Sequence, residues 1–527
     1  IMIKLRFVFL IVFVFVILIP IQQYLNLSEQ RDLFVEASQI RSQSSEKIIA
    51  PRKTIVDRNQ NDLAISIQRP TLIFKTDADK EKIINFANDN SKIIFLNANK
   101  RLYFESNIDQ KFISEAREFC GCTIIREDLF RRYYPYGSIA GTVVGFAGAD
   151  GGLDGVEELF NSSLDAEIKE DFFIRSAKGQ KTFGNLESFN LEKEKLTLTL
   201  DITLQYKLFE ELKKAIVDSK AAGGFALIMD SKNGDILAMA SYPSFNPNNS
   251  SRVLKRNRLM EDFYEPGSLI KPFTIAGALE MKLIEKDTVI DTNPGYVTLS
   301  NIRRSEAGGK NFGEIMPDEI IYHSSQVGTA KVAIKFSDEQ LKNNLRRFGF
   351  GEFLEMDLSL SNPGTILDAP KLYEIDKASM GYGYSLEVNS LQIARAYSVF
   401  ANKGLLIEPR ISVDDSFQPQ KVLDAEIADY VLKALRDTVL IGTASDLSKN
   451  SVEIAGKTGT TNKYIQGEGY AQGRYQSSFA SIFPYSDPKY IMIVTIDEPD
   501  PNKYFGGDVS APVVSVMAEF LERLKYL

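Results

Sequence analysis

The sequence predicts a mixed α/β protein, in which a sheet flanked by helices follows an elongated strand-rich region and one N-terminal membrane helix. Three patterns lead to this prediction. An apolar run from Phe7 to Ile21 follows a positively charged lead, which is typical of a membrane-targeting segment. Between residues 50 and 190, apolar and polar residues alternate, which indicates strands. From residue 191 onward, helical spacing is interrupted by apolar strand segments, which favours a sheet covered by helices.

The N-terminal segment, residues 1–27, is predicted to be an uncleaved membrane anchor. At about 1.5 Å per residue, the run ending at Ile21 is shorter than the roughly 30 Å hydrocarbon core, so a signal peptide competes with a spanning helix. Residues 22–27 bring the helix to spanning length and contain no small-x-small cleavage site. Lys4 and Arg6 precede the run, so we expect the short end to stay cytoplasmic and the rest of the chain to be exported.

Composition predicts two or more ordinary globular domains and argues against nucleic acid as a partner. The chain has 527 residues, 44% of them hydrophobic, and a net charge of −8 with interspersed signs. Its two cysteines and one histidine exclude a four-cysteine metal site, a disulfide framework and a multi-histidine metal site. For Cys120 and Cys122 we expect two small residues at a strand edge, rather than a small disulfide ring or a weak metal site. His323 is assigned no catalytic role.

The exported chain divides into three predicted parts. Residues 28–49 are polar and charged with helical spacing, which indicates a juxtamembrane stalk. Residues 50–190 form the elongated strand-rich domain, with strands at Lys53–Ser66 and Ser91–Glu105, and with turns and extended chain over the glycine-rich Gly137–Asp165. Residues 191–527 form the second domain, in which a strand at Leu196–Leu200 is followed by a helix, a hairpin, a long helical region, two apolar strands and a final helix.

Three short segments in the second domain stand in a chemically informative order: Ser268-Leu-Ile-Lys271, Ser324-Ser-Gln326 and Lys457-Thr-Gly459. They resemble the Ser-x-x-Lys, Ser-x-Asn and Lys-Thr-Gly signature of penicillin-binding proteins and serine β-lactamases. Ser268 precedes a helical stretch, so we expect it at a helix N-terminus, with Lys271 one turn further along the same face. A lysine can take the serine proton if burial, or a second cation such as Lys457, lowers its pKa.

The same segments predict groups that bind the substrate. The backbone N–H groups of Ser268 and Thr460 are the expected donors to a developing oxyanion. Gly459 lacks a side chain, so a substrate backbone can approach the strand closely.

The resemblance to class B penicillin-binding proteins covers most of the exported chain. It extends through Ala240–Asn248, Tyr264–Pro272, Gly381–Tyr384 and Tyr504–Gly507. Upstream, residues 55–58, 132–137 and 151–157 look like the non-catalytic pedestal (dimerisation-like) domain of the division-specific (septal) branch, with the elongation-specific branch as the alternative. The resemblance implies a pedestal that contacts divisome proteins, including a lipid-linked glycan polymerase.

The resemblance implies a serine D,D-transpeptidase that needs no metal or cofactor. Ser268 would attack the penultimate D-alanine carbonyl of a peptidoglycan stem peptide, release the terminal D-alanine and pass the acyl group to an amine on a neighbouring stem. β-Lactam antibiotics would acylate the same serine. Lys271 would act as general base, and the remaining family positions would relay protons or bind the terminal carboxylate: Ser324, Lys457, Thr458 and Thr460.

One residue departs from the family pattern, because Gln326 stands where the family has asparagine. Glutamine keeps the amide donor and acceptor but adds a methylene. We interpret the chain as an active enzyme with an altered site. A catalytically weak scaffold or β-lactam sensor of the same fold is the alternative from a different class of function. A bifunctional enzyme is excluded because the N-terminal region lacks a glycosyltransferase Glu-Asp-x-x-Phe motif. A hydrolytic β-lactamase or carboxypeptidase is disfavoured by the anchor.

Overall fold

The fold comes from a computed structural model that describes residues 2–49, 51–89, 94–98, 101–104, 108–148, 151–165, 168–175, 181–184, 195–249, 257–356, 363–465, 467 and 469–527. The predicted domain boundary at residue 190 lies outside the described residues. The described helices are α1 Met2–Ser42, α2 Asp77–Asp89, α3 Gln110–Cys120, α4 Gly141–Val144, α5 Gly155–Leu159, α6 Asn161–Leu164, α7 Ile202–Asp218, α8 Arg258–Glu261, α9 Lys271–Glu280, α10 Pro317–Tyr322, α11 Gln326–Ala333, α12 Asp338–Arg347, α13 Glu374–Gly381, α14 Ser390–Ala401, α15 Ala425–Leu440, α16 Gly506–Val509 and α17 Ala511–Arg523.

The strands form a small N-terminal sheet, two large sheets and several two-stranded ribbons. In chain order they are β1 Gln43–Ile49, β2 Thr54–Val56, β3 Asp62–Phe74, β4 Ile94–Ala98, β5 Arg101–Phe104, β6 Ile124–Tyr133, β7 Phe146–Ala147, β8 Gly152–Asp154, β9 Ile168–Arg175, β10 Lys181–Gly184, β11 Lys195–Thr197, β12 Gly223–Asp230, β13 Ile236–Tyr242, β14 Ile290–Asp291, β15 Tyr296–Leu299, β16 Ile302–Ser305, β17 Glu314–Ile315, β18 Thr365–Ile366, β19 Leu386–Glu387, β20 Leu405–Leu406, β21 Gln420–Lys421, β22 Ala455–Ile465, β23 Gly469–Phe483 and β24 Tyr490–Asp497.

The chain forms two compact units. The first consists of residues 1–52 and 165–194 and contains α1 and the antiparallel sheet β1-β9-β10. Within α1, Val8–Ser28 is long and apolar enough to cross a membrane, with a mean hydropathy of 2.5. The predicted apolar helix is therefore present, and it is continuous with the polar residues that follow it.

The second unit contains residues 53–164 and 195–527. Its N-terminal sheet has the order β11-β2-β3-β5-β4, with β6 paired along β3. The carboxylate of Asp57 accepts hydrogen bonds from the backbone N–H groups of Asn59 and Asn61, each at 2.8 Å, and so closes the turn between β2 and β3. It also accepts from the N–H of Ile202 at 3.1 Å, which ties this turn to the start of α7.

The glycine-rich region Gly137–Asp165 differs from the prediction of turns and extended chain. It contains the short helices α4, α5 and α6 and the ribbon β7–β8. Helices of four or five residues are too short to produce a helical hydrophobic period, which explains the error.

The cysteine prediction was also wrong, because Cys120 and Cys122 are joined by a disulfide with a Cα–Cα distance of 5.2 Å. Cys120 is the last residue of α3. Gly121 then adopts the left-handed conformation with a φ of 62°, and its N–H donates to the carbonyl of Arg117 at the end of the helix. This tight reversal brings the two cysteines together.

The central sheet has the order β13-β12-β24-β23-β22, and all neighbouring strands are antiparallel. Residues of β24 alternate between two cores: Ile491 and Ile493 pack with α9 and α14, whereas Met492 and Val494 pack with α7 and α17. The predicted sheet with helices on both faces is confirmed. Strand β22 lies at the edge of this sheet.

Phe273 is expected to be a major contributor to the stability of the core beneath α9. The ring is fully buried and lies 4.9–5.3 Å from those of Phe348, Phe350, Tyr397 and Phe400. Phe273→Ala is expected to lower the free energy of unfolding by about 3–5 kcal/mol, because a cavity remains where the ring was. The thermal midpoint measured by tyrosine fluorescence is a suitable readout, since the chain has no tryptophan.

The matched control is Phe353→Ala, because the Phe353 side chain is 60% exposed. It is expected to change the free energy of unfolding by less than about 0.5 kcal/mol. Equal effects of the two variants would contradict the assignment of Phe273 to the core.

Candidate active site

Ser268 lies in a short 3₁₀ helix, Gly267–Ile270, that continues directly into α9 at Lys271. Gly267 has a φ of 55° and donates its N–H to the carbonyl of Gly383 at 2.9 Å. A Cβ at residue 267 would lie 2.4 Å from Cγ2 of Thr461, so the turn needs glycine for both conformation and space. We call residues 266–270 the serine turn. The half-buried Ser268 and the buried Lys271 stand one helical turn apart, as predicted.

The amine of Lys271 bonds to the second predicted segment. Its side chain is 2% exposed, and Nζ donates to the Ser324 carbonyl at 2.5 Å and to Ser324 Oγ at 3.2 Å. Burial lowers the pKa of Lys271 from 10.5 to about 7, although the negative charge of Glu306 opposes the shift. A substantial fraction of this amine is therefore neutral near pH 7 and able to accept a proton.

Ser324 occupies the turn between α10 and α11 in a left-handed conformation, with a φ of 60°. Such a conformation is costly for a residue other than glycine, and it persists only where surrounding contacts hold it. The next residue, Ser325, caps α11 by accepting from the N–H of Gly328 at 2.9 Å. The turn therefore directs the Ser324 carbonyl and hydroxyl towards Lys271.

Glu306, which was not predicted as a site residue, holds this turn from a distant part of the chain. Its side chain is 3% exposed. Its carboxylate accepts from Ser325 Oγ at 2.5 Å, from the N–H of Gln326 at 2.7 Å and from the N–H of Val327 at 3.2 Å. No local pattern links residue 306 to residues 325–327, so only the folded chain reveals the contact.

Gln326 is the first residue of α11, and its side chain is partly exposed. Among the described residues, its side-chain amide makes no hydrogen bond, and the amine of Lys271 bonds instead to Ser324. The structure therefore brings Ser324, but not the Gln326 amide, onto Lys271.

The third segment lies on the edge strand β22. Lys457 is fully buried, and Nζ donates to the carbonyl of Thr458 at 3.0 Å. Burial, together with the charge of Lys271, lowers the pKa of Lys457 well below its usual value. The hydroxyl of Thr458 lies 2.7 Å from that of Thr443, and the hydroxyl of Thr460 accepts from the N–H of Gly506 at 3.2 Å. These contacts fix the strand beside the serine turn.

Gly459 marks the closest approach between β22 and the serine turn. A Cβ there would lie 3.0 Å from Cγ of Leu269 and 3.1 Å from the carbonyl oxygen of Pro266. The sequence alone predicts that this glycine lets a substrate backbone approach closely. The structure supplies a further reason, because the protein's own backbone requires the space.

Gly459→Ala is expected to destabilise the protein by about 1–3 kcal/mol, because the added methyl group overpacks the contact with the serine turn. A thermal midpoint below that of the wild type would support the expectation. Asn462→Ala, at an exposed position on the same strand, is the control and should change stability by less than about 0.5 kcal/mol. An unchanged midpoint for Gly459→Ala would contradict the packing argument.

His323 stands beside this site without bonding to Lys271. Its ring stacks on Phe312, with the centroids 4.8 Å apart, and burial lowers its pKa below 6.5. Within the described ranges, no group of three or more His, Cys, Asp or Glu side chains is arranged to hold a metal ion.

The chain is similar to a known protein family and to individual members of it. A family model described as the penicillin-binding protein transpeptidase domain matches residues 224–519. The probable peptidoglycan D,D-transpeptidase PbpC of Pseudomonas aeruginosa is 33% identical over 447 residues, which cover 81% of this chain and 77% of that relative. Peptidoglycan D,D-transpeptidase FtsI of Buchnera aphidicola subsp. Schizaphis graminum is 30% identical over 550 residues, which cover 99% of this chain and 95% of that relative.

A solved complex shows the same fold. It is the complex between penicillin-binding protein PBP2 and MreC from Helicobacter pylori. The match has a TM-score of 0.74 at 22% identity and covers 92% of this chain and 100% of that chain. This likeness concerns the arrangement of secondary structure.

Proposed function

The chain belongs to the penicillin-binding protein transpeptidase family, and on that basis we propose that Ser268 is its nucleophile and Lys271 its general base. The chain is a class B peptidoglycan D,D-transpeptidase of the division type, as its FtsI relatives support. The observation that carries the proposed roles is the buried amine of Lys271, one turn after Ser268, with a pKa of about 7.

The acylation step follows from these positions. Neutral Lys271 takes the proton of the Ser268 hydroxyl as Oγ bonds to the penultimate D-alanine carbonyl of a stem peptide. The C–N bond to the terminal D-alanine then breaks, and the departing nitrogen receives a proton relayed through Ser324. An ester on Ser268 and free D-alanine result. A β-lactam ring opens at the same serine, but its leaving nitrogen stays attached to the adduct.

The second step transfers the acyl group. A neutral amine from a neighbouring stem attacks the ester carbonyl and gives its excess proton to Lys271, which is neutral again because the proton it took from Ser268 went to the departing D-alanine. The new amide bond forms as the bond between the carbonyl carbon and Ser268 Oγ breaks, and Lys271 returns the proton to that oxygen. The product is a peptide cross-link.

The negative charge that develops on the carbonyl oxygen needs donors already in place. The backbone N–H of Ser268, in the serine turn, and that of Thr460, on the edge strand β22, are the proposed pair. The hydroxyls of Thr458 and Thr460, with the amine of Lys457, are proposed to bind the terminal carboxylate of the donor stem. Gly459 would leave the strand open to the substrate backbone.

Gln326 alters one contact of this scheme. The resemblance implies that an amide at this position touches both the Lys271 amine and a substrate amide. In the structure, however, the Lys271 amine donates to Ser324. We propose that the longer Gln326 side chain serves the substrate amide alone. In that case Ser324 and Glu306 have the larger share in positioning Lys271.

The anchor and the family suggest where the enzyme works. Val8–Ser28 is a candidate single membrane span, and Lys4 and Arg6 precede it. We propose a cytoplasmic (inner) membrane protein with its catalytic domain on the outer side. We also propose that residues 50–190 act as a pedestal that contacts a lipid-linked glycan polymerase and other divisome proteins.

A transfer assay with the full-length protein in detergent tests the proposed function. The protein is incubated with a stem pentapeptide donor and an excess of a second stem that carries a free amine, and products are identified by mass spectrometry. A cross-linked dimer with release of D-alanine supports the transpeptidase. Acid without dimer would indicate a hydrolase, and the absence of any product from folded protein would indicate a scaffold.

A further inference from the structure

We propose that Glu306 is a positioning residue that orients Ser324, and through it the general base Lys271. This inference rests on the proposed function, because it concerns how the base for Ser268 is held. Glu306 touches neither Ser268 nor Lys271 through a hydrogen bond within the described residues, so it acts through its neighbours.

Backbone hydrogen bonds hold Glu306 itself in place. Its backbone N–H donates to the carbonyl of Gly295 at 2.9 Å, and its own carbonyl accepts from the N–H of Gly309 at 3.2 Å. The residue directly follows strand β16 and precedes the turn Ala307–Gly309, in which Gly308 has a φ of 67°. A carboxylate fixed in this way and buried from water is a firm attachment point for another part of the chain.

The three donors that Glu306 accepts define the conformation of the second serine segment. The Ser325 hydroxyl and the N–H groups of Gln326 and Val327 all bond to its two oxygens. Two of these donors are free N–H groups of the first turn of α11, where a negative charge is favourable. Charge-assisted bonds of this kind are strong enough to hold Ser324 in its left-handed conformation.

The position of Ser324 decides the position of the Lys271 amine. Nζ of Lys271 donates to the Ser324 carbonyl at 2.5 Å and to the Ser324 hydroxyl at 3.2 Å. If the turn relaxed towards an ordinary conformation, that carbonyl would rotate away from the amine. The chain of contacts therefore runs from Glu306 through Ser325 and Ser324 to Lys271.

Glu306 also acts on Lys271 through its charge. The ionisable groups coupled to Glu306 and Lys271 are Lys457 on β22, whose pKa the charge of Lys271 lowers, and His323 at the end of α10, whose pKa the charge of Glu306 raises. Burial lowers the pKa of Lys271, the negative charge of Glu306 raises it, and the proximity of Lys271 lowers the pKa of Lys457. Removal of the Glu306 charge is therefore expected to lower the pKa of Lys271 further.

The test compares acylation rates against pH for the wild type and Glu306→Gln, with the full-length protein in detergent and a fluorescent penicillin as probe. The neutral amine is the active base, so the rate should fall as pH drops through the pKa of Lys271, about 7 in the wild type. In Glu306→Gln we expect this fall to move to lower pH by about one unit. The plateau rate should also decrease, by about tenfold, because the turn is less well held.

Glu306→Asp keeps the charge and shortens the arm. It is expected to restore the wild-type pH dependence, with a plateau between those of the wild type and Glu306→Gln. Glu319→Gln is the matched control, because Glu319 on α10 raises the pKa of His323 but does not influence that of Lys271. The acylation rate of Glu319→Gln should fall over the same pH range as that of the wild type.

The outcomes separate this inference from the proposed function. An unlabelled wild type would contradict the proposed function itself. If the wild type is labelled but the rate of folded Glu306→Gln falls over the same pH range as that of the wild type, the role of Glu306 is overturned. It is also overturned if Glu319→Gln shows the same shift of this fall to lower pH as Glu306→Gln. If Glu306→Gln does not fold, Ser325→Ala is measured instead. A lower plateau of its acylation rate, with the fall at low pH unchanged, supports the chain of contacts from Glu306 to Lys271. An unchanged plateau rate overturns it.

Discussion

Replacing Ser268 by alanine is expected to abolish the covalent adduct that a fluorescent penicillin forms with the full-length protein. Alanine has no hydroxyl, so no ester can form even though Lys271 and β22 remain in place. Ser268, in a 3₁₀ helix that continues into α9 one turn before Lys271, is the proposed nucleophile. Fluorescence of the denatured protein, with mass spectrometry of the peptide that contains residue 268, is the measurement.

Ser324→Ala is the control for that experiment, because it removes a hydroxyl from the same site and leaves Ser268. It should still form the adduct on Ser268, at a lower rate, since the Ser324 carbonyl continues to accept from Lys271. An adduct on a different residue in Ser268→Ala would show that the nucleophile lies elsewhere. Absence of an adduct in folded wild type would instead favour the scaffold or sensor.

Replacing Lys271 by methionine is expected to slow acylation of Ser268 by about 10²–10⁴-fold, the usual contribution of a general base. Methionine has a similar length and an apolar character, so it can fill the buried site without an amine. The fold should therefore persist, because the variant removes a buried ionisable group rather than a core side chain. Stopped-flow or quenched labelling with a fluorescent penicillin measures the rate, and the thermal midpoint checks that the variant is folded.

Lys331→Met is the matched control for Lys271→Met. Lys331 lies on α11, is partly buried, and donates to the carbonyl of Asp291 at 2.5 Å. It should acylate at nearly the wild-type rate. A rate for folded Lys271→Met that equalled that of the Lys331 variant would assign the general base to another residue.

Much of the fold was predictable because its elements have local signatures. The helix predicted directly after the strand at Leu196–Leu200 is α7, Ile202–Asp218, and the second of the two apolar strands predicted before the final helix is β24, Tyr490–Asp497. In these segments apolar residues recur with the period of the element that buries them, so neighbouring residues carry the information. Short elements carry no such period, and the helices α4 to α6 were accordingly missed.

Contacts between distant residues were not predictable. The contact of Gly459 with the serine turn depends on how β22 packs. Glu306 lies 18 residues before Ser324, and nothing in the intervening pattern indicates that it caps α11. In each case the relevant neighbour is set by packing rather than by sequence spacing.

The sequence by itself determined the types of chemical group at the proposed site, their order along the chain, and the apolar segment at the N-terminus. Residue identity and short spacing suffice for these features, because one helical turn places Lys271 near Ser268 in any α-helix. Only the tertiary structure decided the protonation of Lys271 and the left-handed conformation of Ser324. The pKa of Lys271 depends on burial and on the charge of the remote Glu306, and the conformation of Ser324 depends on contacts with other parts of the chain. Electrostatic effects of this kind exist only after the chain has excluded water from the site.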